Sequence, residues 1–381
     1  MKKPQRRAQL ALLAAAALTV TALLPGSTAV AKSNPGTQAT IQVLASGLNV
    51  PRGLVFDGKN KRILVAESGI DAINVTGPCG IGEDGTPLCY ADTGSVFQYS
   101  TQTGATNRII TGLPSVSIPD GNIAVLGLHD LALFKGTLHG VFGLLGMVST
   151  RQEFADQGAA HAFDLGTAGT LGGSGYAYHQ YTDITAFEDS LEPGQESDPY
   201  GIIVGGYGSV IANPGGPVAT GNDVLQFKNG QLSVATSIAT RIINNRAIES
   251  VPTCVTKGPD GAFYAGELSG FPYFPGVARI LRFMPGEAPT VFATGFTNII
   301  DCTFDDDGKL LVLEIAKFGL LNADQTGALI KVDKHGNQTE LVSTGLTNPG
   351  GVAPAGDGVY YITNFTAGFG GDGQLLKVTV S

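Results

Sequence analysis

Beyond its first 31 residues the sequence has no basic run and no apolar stretch long enough to cross a bilayer. The first absence argues against nucleic acid and anionic membranes as partners, because both are held through clustered Lys and Arg. The second leaves no membrane span once the leader is gone. Cysteine is scarce; no two of the four have CxxC spacing or a close histidine, which removes the common zinc patterns. GxSxG, the P-loop and HExxH are all missing, so the common hydrolase, nucleotide and zinc-protease functions have no motif support. Helical periodicity is sparse, whereas glycine (54) and proline (20) are plentiful.

The chain opens with MKKPQRR, continues with QLALLAAAALTVTALL, turns at PGS and reaches Ala29-Val30-Ala31, the small-x-small pattern behind which signal peptidases cut. Residues 1–31 therefore read as a signal peptide and residues 32–381 as a single mature domain. The apolar core is short, contains Gln9 and ends at Pro25-Gly26, which disfavours a retained anchor. Cleavage removes Lys2, Lys3, Arg6 and Arg7 and no acid, so the net charge moves from −9 to −13. A secreted, extracytoplasmic, acidic monomer is expected. That compartment oxidises thiol pairs, so two disulfides are expected. Cys79 and Cys89 lie in GPCGIGEDGTPLCYADTG, where a bridge would staple a surface excursion with little core of its own.

One stretch recurs. GFTNIIDCTFDDDGKLLVLE from residue 295 is nearly repeated by GLTNPGGVAPAGDGVYYITN from residue 345, and residues 47–67 and 251–267 follow the same plan. Each copy has an apolar run, a polar turn (Asp260-Gly261, Asp307-Gly308, Asp357-Gly358) and a second run; Asp-Gly between β-prone runs is a hairpin signal, because the turn needs positive φ. Third and fourth runs follow. Four short antiparallel strands repeated every 40–50 residues or so define a β-propeller, an all-β fold here of about six four-stranded blades. The run Thr40–Leu44 resembles the fourth strand that the last copy lacks, so the N-terminal strand is expected to close the ring and remove its exposed edges. Thr182–Leu191 has apolar residues at helical spacing before Glu192-Pro193 and reads as a short helix on an inserted loop. Aligning the copies sets Cys254 and Cys302 one position apart on inner strands of neighbouring blades, so a bridge between blades is expected, with two buried thiols as the alternative.

Several segments together resemble one family: PCGIGEDGTPLCYADTG, Gly127-Leu128-His129-Asp130, DITAFED with SDPYGI, and GELSGFPYFPGVARILRF followed by ATGFTNIIDCTFDDDG. They are similar to the ScyD/ScyE family of exported propellers across nearly the whole mature chain. The resemblance implies the fold and export and carries over no catalytic residue. At fold level it extends to NHL-repeat and SMP-30-type lactonase propellers.

In this architecture ligands sit in the central channel, toward which the openings of the inner strands are expected to point. Those positions hold Arg52, His129, Thr253, Ile300 and Gly350, and one step later Asp130, Cys254 and Asp301. Arg52, His129, Asp130, Thr253 and Asp301 are thus the candidate ligand-binding residues, with Asp130 and Asp301 on opposite blades. No motif fixes a cofactor; the one these carboxylates suit is a divalent cation such as calcium. Beside a general-base reading of His129 stands a structural one, in which His129 and Asp130 hydrogen-bond the next blade's backbone. Glu67, Glu267, Glu314 and Asn364 recur at one repeat position, which points to a structural task. Two functions remain: a binding scaffold for a small molecule, glycan or protein, and a metal-assisted hydrolase or lactonase of the SMP-30 type. The scaffold is preferred, because only two oxygen ligands can be named for an ion.

Overall fold

The computed structural model describes residues 25–31, 38–70, 77–81, 87–117, 125–143, 148–157, 166–172, 178–194, 197–215, 222–367 and 370–381. Six antiparallel blades are arranged around one axis. Their innermost strands are Pro51–Asp57, Val125–Phe134, Gly201–Gly205, Pro252–Lys257, Ile299–Phe304 and Val352–Pro354, each packed beside the next, with the sixth returning to the first. Blade six is built from Val352–Pro354, Val359–Asn364, Gly373–Val380 and then Ala39–Leu48, the N-terminal strand that closes the ring. Thr28–Ala31 pairs with Ala39–Gln42 outside that strand, so four residues of the expected leader lie on the sheet edge. Residues 1–24 of that leader lie outside the described residues.

The blades form where the repeat was read. Gly261, Gly308 and Gly358 of the Asp-Gly turns all have positive φ (83°, 68° and 72°), the backbone that such tight hairpins require. Along the strands buried apolar residues supply both faces, because each blade is covered by a neighbour on either side. Six apolar clusters result, one per seam. Leu54, Val65 and Phe97 of blade one meet Leu48, Tyr361 and Leu375 of blade six, for example, and Val255, Ala265 and Leu281 of blade four meet Val210, Ala212 and Val224 of blade three. No blade could bury these faces alone.

Among the described residues two helices interrupt the blades. Ile184–Leu191 is the expected one, capped by Asp183, whose carboxylate accepts from Ala186 N. Val148–Asp156 was not anticipated, since VSTRQEFAD has no clear apolar stripe. Arg151 from that helix reaches the Asp183 carboxylate, with Nη2 at 2.7 Å from Oδ1, and so joins the two helices. Both disulfides are present: Cys79–Cys89 ties a small hairpin, and Cys254–Cys302 joins the inner strands of blades four and five. Among the described residues no helix is long and apolar enough to cross a membrane.

Ring closure by Ala39–Leu48 has a direct test. A chain beginning at Lys32 keeps that strand and should melt within roughly 1–2 °C of the full chain, a difference of about 1 kcal/mol. A chain beginning at Asn49 exposes the edge of Gly373–Val380 and should lose its cooperative melt. Equal melting of both truncations, followed by circular dichroism, would refute the closure.

Candidate functional site

Four innermost strands carry a register shift at the same place, between Pro51 and Leu54, Leu128 and Asp130, Pro252 and Cys254, and Ile299 and Asp301. The extra residue at such a bulge re-aims its side chain. Directly before three of these shifts the backbone turns left-handed, at Val50, Val251 and Asn298 (φ 48°, 53° and 50°), and Asn348 (φ 40°) takes the same conformation ahead of the unshifted blade-six strand. For the two valines this is a strained conformation. The bulged layer holds Arg52, His129, Tyr200, Thr253, Ile300 and Gly350, and the next layer toward the hairpins holds Gly53, Asp130, Gly201, Cys254, Asp301 and Gly351.

In the bulged layer His129 and Thr253 turn into the seams between neighbouring blades, which corrects the expectation that they face the channel, whereas Arg52 reaches past blade two to Tyr200 of blade three. Arg52 donates from Nη2 to Val125 O (3.0 Å), from Nε to Ser68 Oγ (3.3 Å) and from Nη1 to Tyr200 Oη (3.2 Å). Thr253 Oγ1 donates to Ile299 O of the next blade at 2.7 Å, and Thr363 Oγ1 to Arg52 O at 2.7 Å. His129 is fully buried and its Nδ1 lies 3.2 Å from Pro199 O; the carbonyl can only accept, which assigns the proton to Nδ1. Burial, and then the Arg52 charge, hold this imidazole well below its ordinary pKa. Asp198 Oδ1 is 3.8 Å from His129 Nδ1, but burial raises that carboxyl to about 7, so with a neutral imidazole the two make no ion pair. Sealed from solvent, His129 is poorly placed as a general base for a channel ligand.

Asp130 and Asp301, three blades apart, do line the channel from opposite walls. Each carboxylate bridges its own strand to the next blade. Asp130 accepts from Leu131 N (Oδ1, 2.8 Å) and Ile202 N (Oδ2, 2.9 Å), and Asp301 from Cys302 N (Oδ1, 2.7 Å) and Val352 N (Oδ2, 2.7 Å). Burial pushes Asp301 up to about 6 and, joined by the Asp301 charge across the channel, pushes Asp130 well above the carboxylate range. Only glycine fits opposite: a Cβ on Gly53 would lie 1.9 Å from Asp130 Oδ1, and one on Gly351 2.9 Å from both Arg52 O and Gly53 Cα.

The channel holds about 490 Å³ on the hairpin side of this layer. Phe56, Leu133, Val204, Phe304 and Pro354 line it, with Lys257 standing 4.6 Å from the Tyr207 ring centroid. A divalent cation between the aspartates does not suit this donor set. Each of the four carboxylate oxygens already accepts a backbone N–H, and among the described residues no three His, Cys, Asp or Glu side chains gather to hold a metal.

At the recurrent acidic position, Glu67 accepts from Asn49 N and Arg108, Glu314 from Thr297 N, Asn364 from Thr347 N, and Glu267 from Arg241 and Arg279. The task is structural, fixing the approach to the inner strand. Sequence reasoning missed Asp198 and Tyr200; aligning Gly201 with Asp130 and Cys254 would have set Tyr200 in the bulged layer.

The geometry defines a six-bladed propeller with a blind, half-polar channel. No protein-family model matches the chain, and no curated protein matches its sequence. Solved structures do match in shape. A gluconolactonase from Xanthomonas campestris aligns over 94% of this chain and 99% of its own at 11% identity, with a TM-score of 0.57. The PQQ-bound aldose sugar dehydrogenase of Streptomyces coelicolor aligns over 94% and 100% at 13% identity (TM-score 0.55), and the apo soluble enzyme of Escherichia coli over 90% and 99% at 14% (TM-score 0.50). At these identities the likeness is one of fold.

Several buried carboxyls hold protons that the unfolded chain would release: Asp130, Asp198 and Glu314 (both about 7) and Glu188 (about 8). A raised native pKa gives stability that is present at low pH and lost as pH rises through the native value. In chelator, the melting temperature should therefore rise as pH falls from about 8 to about 6.5, above the range where buried neutral histidines oppose the trend. A melting temperature that is flat or falls over this range would contradict these assignments.

Proposed function

We propose that the protein is an exported ScyD/ScyE-like propeller that binds a small organic molecule in its central channel without transforming it. Signal cleavage behind Ala31 releases residues 32–381; the two disulfides and the acidic surface support an oxidising, extracytoplasmic setting. The observation that carries the binding role is the state of Asp130 and Asp301. Their oxygens are committed to backbone N–H groups, so the channel floor offers a fixed polar patch in place of a metal cage or an activated nucleophile.

The occupant's chemistry follows from the walls. Apolar and aromatic side chains near the hairpins suit an apolar body, the aspartate pair suits a hydroxyl or amine donor at the deep end, and Lys257 suits an electron-rich or anionic group at the mouth. A glycan or protein partner would use a face of the disc instead. The second reading, a metal-assisted lactonase, draws on the likeness in fold to the gluconolactonase and lacks the ligands for an ion in the channel.

Because the chain has no tryptophan, Phe304→Trp places a single fluorescent reporter in the channel. Small amphipathic ligands with a donor end should quench it saturably, with affinity weakened about tenfold or more by Asp301→Asn, the worth of one charge-assisted hydrogen bond. Metal-dependent hydrolysis of lactones that Asp301→Asn abolishes would overturn the noncatalytic reading.

A further inference from the structure

Between the second and third strands of blade three and the helix Ile184–Leu191 lies a second polar cluster with no role in the channel. Glu188 sits on the helix Ile184–Leu191, fully buried, with neither carboxylate oxygen hydrogen-bonded. Asp223 is the second residue of the third strand of blade three, Asn222–Lys228, 1% exposed, with Oδ1 also without a partner. Asn213, its cross-strand register partner, is fully buried with both amide atoms unpaired, and Ser197 is fully buried with Oγ unpaired.

These four side chains converge. Ile184 packs in one cluster with Ile211 and Leu225, two residues from Asn213 and Asp223 on their strands, which seats the helix over that end of the blade. The Asp223 charge is close enough to raise Glu188 further, after burial. Asp198 N donates to Pro214 O, holding Ser197 beside Asn213, and a Cβ built on Gly166 would lie 2.1 Å from Thr185 Oγ1 and 3.3 Å from Ser197 Cβ, which places Ser197 against the helix's first turn. Asn213 also occupies the blade-three copy of the position held by Glu67, Glu267, Glu314 and Asn364. Those four have hydrogen-bond partners, whereas Asn213 has none.

Buried carboxylates and amides are costly without partners. Here two carboxylates, an amide carbonyl and a hydroxyl bring unpaired oxygens to one place, Asp223 keeping only its second oxygen for Ser237, a set that matches the preference of hard divalent cations for six to eight or so oxygen ligands. We propose that Glu188, Asp223, Asn213 and Ser197 form a binding site for a divalent cation of the calcium class, which clamps the inserted helix onto blade three. Glu188 can supply two oxygens and the other three residues one each, with waters or backbone carbonyls completing the shell. This site is independent of the channel and of the function proposed for it.

The test uses the whole mature protein stripped with chelator. Excess calcium should raise its melting temperature, by roughly 3–4 °C at a hundredfold excess over Kd. The shift should vanish in Glu188→Gln and in Asp223→Asn, and persist in Asp301→Asn, which changes the channel layer and its contact with Val352 and leaves these four residues untouched. Native mass spectrometry of the wild type should count one retained calcium, a readout that stands even if a variant fails to fold. No calcium-dependent shift and no bound calcium in the wild type, as bridging water alone would give, overturns the proposal. So does a shift that survives in both Glu188→Gln and Asp223→Asn.

Discussion

The propeller depends on one constraint: the lumen-facing edge of each innermost strand has no further strand to pair with, and its N–H groups must find acceptors elsewhere. A bulge near the start of four inner strands, three of them directly after a left-handed residue, solves this by sending polar side chains across to other blades. Asp130 takes the N–H of Ile202, Asp301 that of Val352, and His129, Thr253 and Arg52 grip carbonyls in the same layer. Apolar clusters hold the seams together, but they are non-directional. The polar contacts fix how one blade meets the next, and an unsatisfied N–H in their absence would cost about 1–3 kcal/mol each.

That arrangement separates structure from binding. The bulged layer is consumed by the seams and closes the channel on its side, so the space available to a ligand lies on the hairpin side, bounded by the two aspartates. A floor made of carboxylates already bonded to backbone is rigid, and rigidity limits the ordering cost of binding. The inserted helices and the Cys79–Cys89 hairpin stand on the opposite side of that layer. The bridge Cys254–Cys302 joins two blades whose inner strands belong to the same ring.

Much of this was legible in the sequence because it repeats. The Asp-Gly turns gave the hairpins, the surplus run Thr40–Leu44 gave the closure, and counting blades set Asp130 opposite Asp301. The bulge was not legible, since one extra residue in a strand pairing leaves no mark in composition or period. Without it, alternation along a strand directs Arg52, His129 and Thr253 toward the lumen, whereas the structure turns His129 and Thr253 into seams and sends Arg52 on to Tyr200 of blade three. Blade three was blurred for a different reason: its insertions hid the alignment that makes Tyr200 a counterpart of Arg52 and Asn213 a counterpart of Glu67. The helix Val148–Asp156 escaped because contacts with the Cys79 hairpin and Asp183 hold it, with no strong stripe of its own.

Amide hydrogen exchange at Val352 and Ile202 tests the central claim most directly. Both N–H groups lie beside the lumen, outside any strand pairing on that side, and the account predicts protection comparable to amides inside the sheets. In Asp301→Ala, Val352 should lose that protection while Ile202 keeps it. Rapid exchange of Val352 in the wild type, or unchanged protection in the variant, would contradict the view that carboxylates of the bulged strands lock the ring.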